Sequence, residues 1–216
     1  MIKNLIKSIL FFLLPPLKRY RKFHNAQTSK VTFSQWIHFW LSKDKSLYWP
    51  VNKNSELTHP KNIFVGINSK VGIRPGNYIQ GNGGLFVGNY VTITPNCGVI
   101  TGNHNPLNHN EHINKEVRIE DYCWIGMNSM ILPGVHLGPR TVVAAGSVVT
   151  KSFPDGFCII GGNPAKLIKQ LDKEKFVPTH SEGEYYGFIP KNEFADFAKK
   201  HLKGNRYYKE IIEISK

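Results

Sequence analysis

Three histidines, His104, His109 and His112, fall within one polar stretch, residues 101–118, that is rich in Asn and His. Imidazole titrates near neutral pH, so such a ring can take a proton from an attacking hydroxyl or serve as a metal ligand. Residue type and spacing alone leave the three equivalent. His104 and His109 are five apart, a spacing suggestive of metal ligation, and no histidine lies between residues 60 and 103. Cys97, Cys123 and Cys158 form no CxxC pair, so neither a zinc finger nor a disulfide framework is indicated, and a reducing compartment is the simpler reading.

The elements that must hold these groups are announced by a repeat. Aliphatic residues recur every six positions at Ile119, Ile125, Ile131, Leu137, Val143 and Val149, with the same period at Val65 and Val71 and at Val87, Ile93 and Val99. Cys123, Ser129, Val135, Thr141 and Ser147, all small or β-branched, each follow an aliphatic position by four residues. Glycine comes directly after it at Gly66, Gly72, Gly88, Gly126 and Gly138, where it is expected to relax the backbone at corners. A period of six fits neither a 3.6-residue helix nor strand alternation. It fits a solenoid of very short strands, about four triangular coils between residues 63 and 151, with the aliphatic residues stacked inside. Cys97 and Cys123 occupy the small interior position and are read as core packing, which leaves no activated nucleophile for a covalent intermediate. The phase slips between Val71 and Val87, and again between Val99 and Ile119. Residues 101–118 are therefore expected to protrude as a loop, the usual place for chemistry on a rigid scaffold.

Outside the repeat, Phe33, Trp36, Ile37, Trp40 and Leu41 have the spacing of an amphipathic helix, with Thr32 or Ser34 available as its cap. Phe194, Phe197, Ala198 and Leu202 suggest a second helix that stops near Gly204. These flanks are expected to cover the open ends of the solenoid. The chain thus divides into a basic, amphipathic helical extension (1–59), the coil (60–170) and a helical tail (171–216).

Four clusters inside this pattern resemble the hexapeptide-repeat acyltransferases, in particular the O-acetyltransferases of sugars, antibiotics and surface polysaccharides. They are Gly102-Asn103-His104-Asn105-Pro106, Tyr122-Cys123-Trp124-Ile125-Gly126, Ala144-Ala145-Gly146-Ser147-Val148-Val149-Thr150-Lys151, and Gly162-Asn163-Pro164-Ala165-Lys166. The resemblance covers about half the chain. It implies a mainly β fold, a left-handed parallel β-helix with N- and C-terminal helical extensions, assembled as a homotrimer with acetyl-CoA in grooves between subunits and no metal. It further implies His104 as the base for direct acetyl transfer to a hydroxyl of a sugar or lipid-linked glycan precursor. Trp124, Met127, Ala145, Thr150, Lys151 and Lys166 fall on the cofactor side. Met127 stands where many relatives have a small polar residue, and Lys169 reads as solvated surface. Tyr78, Gln80, Asn82 and Asn103 are the acceptor-side candidates, their amides suited to sugar hydroxyls. An amino-sugar N-acetyltransferase or serine O-acetyltransferase is the alternative, and a metal-dependent carbonic anhydrase of similar coil a more distant one.

Charge and composition narrow the remainder. Of 216 residues 41% are hydrophobic and 12% aromatic, too many for a disordered chain. The longest apolar run, residues 9–14, is far short of the roughly 20 residues that span a bilayer as a helix. The net charge of +13 is concentrated in residues 1–60, which hold ten Lys or Arg against two acids. The repeat lacks the interleaved aromatic and basic residues of a nucleic-acid groove, so nucleic acid is not an expected partner. Residues 1–22 instead pair apolar with basic positions, which suits peripheral contact with the inner face of the cytoplasmic membrane by a cytoplasmic protein.

Overall fold

The computed structural model describes residues 15–26, 31–179, 181 and 183–215. The apolar part of the N-terminal arm, residues 1–14, lies outside the described residues.

Short parallel strands stack into three faces. The Tyr78 face runs Glu56–Thr58, Tyr78–Gln80, Gly98–Val99, Met130–Ile131 and Val148–Val149. The Trp124 face runs Thr92–Ile93, Trp124–Ile125, Val142–Val143 and Cys158–Gly162. The Phe86 face runs Ile63–Val65, Leu85–Val87, Val117–Ile119 and His136–Leu137. The chain visits the Phe86, Trp124 and Tyr78 faces in turn and then begins the next coil.

All eleven aliphatic hexad positions point inward and are at most 1% exposed. Side chains at the small interior positions satisfy their polar atoms on backbone carbonyls: Ser129 Oγ donates to Ala144 at 3.0 Å and Thr141 Oγ1 to Gly138 at 2.7 Å. Register is fixed because a slip of one residue would turn every aliphatic rung outward.

Of the glycines after the aliphatic rungs, Gly72 has the positive φ, 69°, of a relaxed corner, whereas Gly66, Gly88, Gly126 and Gly138 have a different cause. At Gly126 a Cβ would lie 2.6 Å from the Ala145 nitrogen, and at Gly138 it would lie 2.0 Å from the Pro154 oxygen. Neither glycine has positive φ. Contact between successive coils, not conformational freedom, excludes a side chain there. The left-handed conformation falls two residues later, on Asn68, Tyr90, Asn128 and Arg140, with φ of 53, 56, 60 and 57°.

The polar stretch is ordered as a β-hairpin, not as an irregular loop: Gly102–Asn105 pairs antiparallel with Asn108–Asn114. Its ends, Thr101 and Val117, are buried.

Helix α1 (Pro15–Ala26) seats Phe23, 1% exposed, against Tyr185 and Phe188. Helix α2 (Phe33–Leu41) begins with a capping box between Thr32 and Gln35. Its inner face is rotated from the expected one: Phe39 is buried and stacks on Phe188 at 4.8 Å, whereas Leu41 is 77% exposed. Helix α3 (Lys191–His201) buries Phe194 and Ala198, and α4 (Tyr208–Ile214) buries Ile211. Both flanks gather at the N-terminal end of the coil and do not cap opposite ends. Tyr48 Oη donates to the Val65 carbonyl at 2.9 Å and accepts from its N–H at 2.8 Å. Tyr186 stacks on Phe194 at 3.8 Å, and Asn205 donates to the Ile63 carbonyl at 3.0 Å. The far end is closed by Ala165–Gln170, which folds back antiparallel on Cys158–Gly162.

Candidate active site

His104 sits on the outgoing strand of the hairpin, directly across from His112. The two rings are 4.3 Å apart between centroids, and the His109 ring is 6.2 Å from His104. His104 Nδ1 lies 3.2 Å from the His109 backbone carbonyl. A carbonyl oxygen only accepts, so Nδ1 carries the proton of the neutral ring and Nε2 keeps a free lone pair. At the tip, the Glu111 carboxylate accepts from the Asn105 and Asn108 amides at 2.9 and 2.8 Å. The tip is thereby fixed.

The root of the hairpin is braced by a residue read as an acceptor contact. Gln80 Oε1 accepts from the N–H groups of Thr101 and Gly102 at 3.0 and 2.8 Å. Thr101 Oγ1 donates to the Gln80 carbonyl and accepts from Gly83 N–H, both at 2.9 Å. Only the Gln80 side-chain nitrogen is left for a ligand. Asn82 Oδ1 accepts from Thr58 Oγ1 at 3.3 Å, and Tyr78 is half-buried beside Gly98. Asn103 is exposed on the hairpin opposite Ile113. The bracing role of Gln80 was not legible from composition, because it depends on which coil lies beneath the hairpin.

The remaining candidates divide between separate parts of the coil. Thr150 and Lys151 are exposed where the Tyr78 face turns toward the Phe86 face, the same edge from which the hairpin emerges two coils earlier. Trp124, 50% exposed, lies on the Trp124 face. Met127 and Ala145 occupy the next edge on consecutive coils, joined through the Gly146 N–H to Met127 carbonyl bond at 2.7 Å. Lys166 is exposed on the returning strand. One chain therefore presents two incomplete sets: His104, Thr150 and Lys151 along one edge, and Trp124, Met127 and Ala145 around another.

Burial disposes of the cysteines. Cys123 is 1% exposed and its thiol is pushed up to about 12 by burial, so it is not a nucleophile at neutral pH. Cys158 is likewise raised by burial. Among the described residues no group of three His, Cys, Asp or Glu is placed to hold a metal ion. Two cations absent from the sequence reading, Lys70 and Arg140, share a cavity with Trp124. Their only sequence signal is a charged residue one or three positions before an inward aliphatic position.

Comparison with known proteins agrees with this architecture. The family described as bacterial transferase hexapeptide (six repeats) matches residues 116–151. The galactoside O-acetyltransferase of Lactococcus lactis subsp. lactis (strain IL1403) is 34% identical over 105 residues, 46% of this chain and 49% of that protein. A Staphylococcus aureus (strain MRSA252) protein named as an acetyltransferase is 34% identical over 137 residues, 59% of this chain and 68% of that protein. The solved hexapeptide-repeat acetyltransferase of Vibrio cholerae O1 biovar eltor, complexed with acetyl coenzyme A, is 26% identical with a TM-score of 0.54, covering 65% of this chain and 85% of that one. The chain spans about half the length of the first curated relatives it matches. Repeat, coil and a relative matched over two thirds of its length lead to one conclusion: the chain belongs to the hexapeptide-repeat acetyltransferase family, and its three-faced coil is the left-handed parallel β-helix of that family.

Proposed function

We propose that this chain moves an acetyl group from acetyl-CoA to a hydroxyl of a sugar or surface-polysaccharide precursor, by direct transfer with His104 as general base. The supporting observation is the His104 Nδ1 contact with the His109 carbonyl, which in the neutral ring leaves the lone pair on Nε2. Nε2 takes the proton as the acceptor oxygen attacks the thioester carbonyl; the new C–O bond forms, the C–S bond breaks, and the imidazolium returns its proton to the leaving sulphur. With the thiols buried, no acyl-enzyme is invoked.

The division of the candidates over different edges supports a homotrimer in which His104 of one subunit meets Trp124, Met127 and Ala145 of its neighbour. In this reading Trp124 walls the thioester end, Ala145 and Thr150 line the pantetheine arm, and Lys151 and Lys166 meet cofactor phosphates as point charges. Asn103 and the free amide nitrogens of Gln80 and Asn82 face acceptor hydroxyls near Tyr78. The coil, residues 60–170, is the catalytic unit, with 1–59 and 171–216 as extensions. No helix among the described residues is long and apolar enough to cross a membrane. Residues 1–22 suit peripheral contact with the cytoplasmic membrane, where lipid-linked glycans are assembled.

Thiol release from acetyl-CoA, followed with hydroxyl and amine sugars as acceptors, tests this reading. Stimulation above background hydrolysis by hydroxyl sugars supports it. Stimulation by amines alone, or by no acceptor, contradicts it.

A further inference from the structure

The Trp124 face carries a trough of about 320 Å³ lined by Lys70, Thr92, Tyr122, Trp124, Arg140 and Thr179. Lys70 bridges Thr92, Thr92 is in register with Trp124, and Trp124 with Val142, so the outward side chains form one row down consecutive coils. At about 4.8 Å per coil, Lys70 and the level of Arg140 are roughly 14 Å apart. Tyr90 and Tyr122 stack at 5.1 Å and wall one side, and residues of the C-terminal tail cover it.

The charges in this trough are unbalanced. No carboxylate lines it. Lys70 is partly buried and has neither an ion pair nor a side-chain hydrogen bond among the described residues, with burial and the nearby Arg74 both disfavouring its charge. The Arg140 guanidinium lies over the Phe176 ring at 5.3 Å and likewise has no acidic partner among the described residues. Neighbouring acids are engaged elsewhere: Asp121 accepts from Asn89, and Glu184 accepts from Tyr90 Oη and pairs with Lys191. A partly desolvated ammonium without a counter-charge is unfavourable, and an oxyanion between Lys70 and Arg140 would relieve it.

We infer that this trough binds the acidic group of the acceptor, so that the substrate is an anionic sugar, bearing phosphate or carboxylate, whose ring lies on the half-exposed Trp124 indole. The inference rests on the reading of Trp124 as the wall of the thioester end. The trough extends past Trp124 on both sides, one coil to Arg140 and two coils the other way to Lys70. The Lys70 end leads away from Met127, Ala145 and Lys166 of the cofactor side, and on that ground the trough is assigned to the acceptor. Sugar C–H faces pack on indole while the charged substituent reaches a cation.

Isothermal titration of the full chain with glucose 1-phosphate, glucuronate and glucose, with and without saturating coenzyme A, reads the site without needing turnover. The expected result is binding of one or both anionic sugars but not glucose, retained with coenzyme A present, and weakened about tenfold or more by Lys70→Met and by Arg140→Met. Lys70→Arg, which keeps the charge, should recover most of the affinity and separates this effect from misfolding. Phosphate-only or carboxylate-only binding identifies the acidic group. Equal affinity for glucose, or indifference to both methionine substitutions, overturns the inference. Displacement by coenzyme A also overturns it, giving the trough to the cofactor. If an anionic sugar binds as expected but no acetyl transfer to any hydroxyl occurs, the proposed function fails while the anion site stands.

Discussion

The side-chain oxygen of Gln80 accepts the backbone N–H of Gly102 at 2.8 Å, tying the first complete coil to the root of the hairpin that carries His104. Together with the Thr101 N–H bond at 3.0 Å, this makes Gln80 a positioning residue for the base. Replacement by leucine leaves two buried N–H groups unpaired, a cost of about 2 kcal/mol. Gln80→Leu should lower kcat about tenfold or more through misplacement of the imidazole, with KM for acetyl-CoA moving much less. A rise in KM with kcat unchanged, or no kinetic change, counts against the bracing role.

Gly126 and Gly146 look alike in sequence and differ in structure. A Cβ at Gly126 meets the Ala145 backbone at 2.6 Å, whereas Gly146 has φ +70° with open space around it. Gly126→Ala should destabilise by about 3 kcal/mol, because successive coils must separate. Gly146→Ala should cost about 1–2 kcal/mol of backbone strain alone. Urea midpoints of the two variants check the order.

Much of this architecture could be read from residues 63–151. The hexad positions all lie inside because six-residue periodicity has one geometric solution, and Cys97 and Cys123 followed from it. The hairpin was not legible as such: all seven residues of Asn108–Asn114 are exposed, so no apolar alternation marks the strand. Nor was the return of the C-terminal tail along the Phe86 face. It rests on contacts such as Arg118 with Glu210 at 3.0 Å, ninety-two residues apart, which no local pattern encodes. His104 stood out only through resemblance. Its tautomer needed the His109 carbonyl, and Gln80 needed the coil beneath it.

Alkaline pH should unfold the protein through its buried acids. Burial pushes the Cys123 thiol up to about 12, the Tyr90 and Tyr186 phenols also to about 12, and the Tyr48 and Tyr207 phenols upward. The unfolded chain loses these protons first, from the ordinary values of 9.0 for Cys and 10.0 for Tyr. Stability is therefore complete below pH 9 and falls as pH rises toward 12. Urea midpoints at pH 8 and pH 10.5 should differ accordingly, and an unchanged midpoint would refute the burial of these groups.

A shared site predicts complementation. His104→Ala and Trp124→Ala should each be nearly inactive alone. After mixing and reassembly in equal amounts, about a quarter of the sites combine a native histidine with a native tryptophan from the neighbour. Recovery of about that fraction of activity is expected; none would place both residues within one chain's own site.

The central claim is that the His104 imidazole removes the acceptor proton, and steady-state acetyl transfer by His104→Ala tests it most directly. The account predicts a loss of 10²-fold or more in kcat, with coenzyme A affinity and oligomeric state intact. Turnover within a few-fold of the native chain would contradict it.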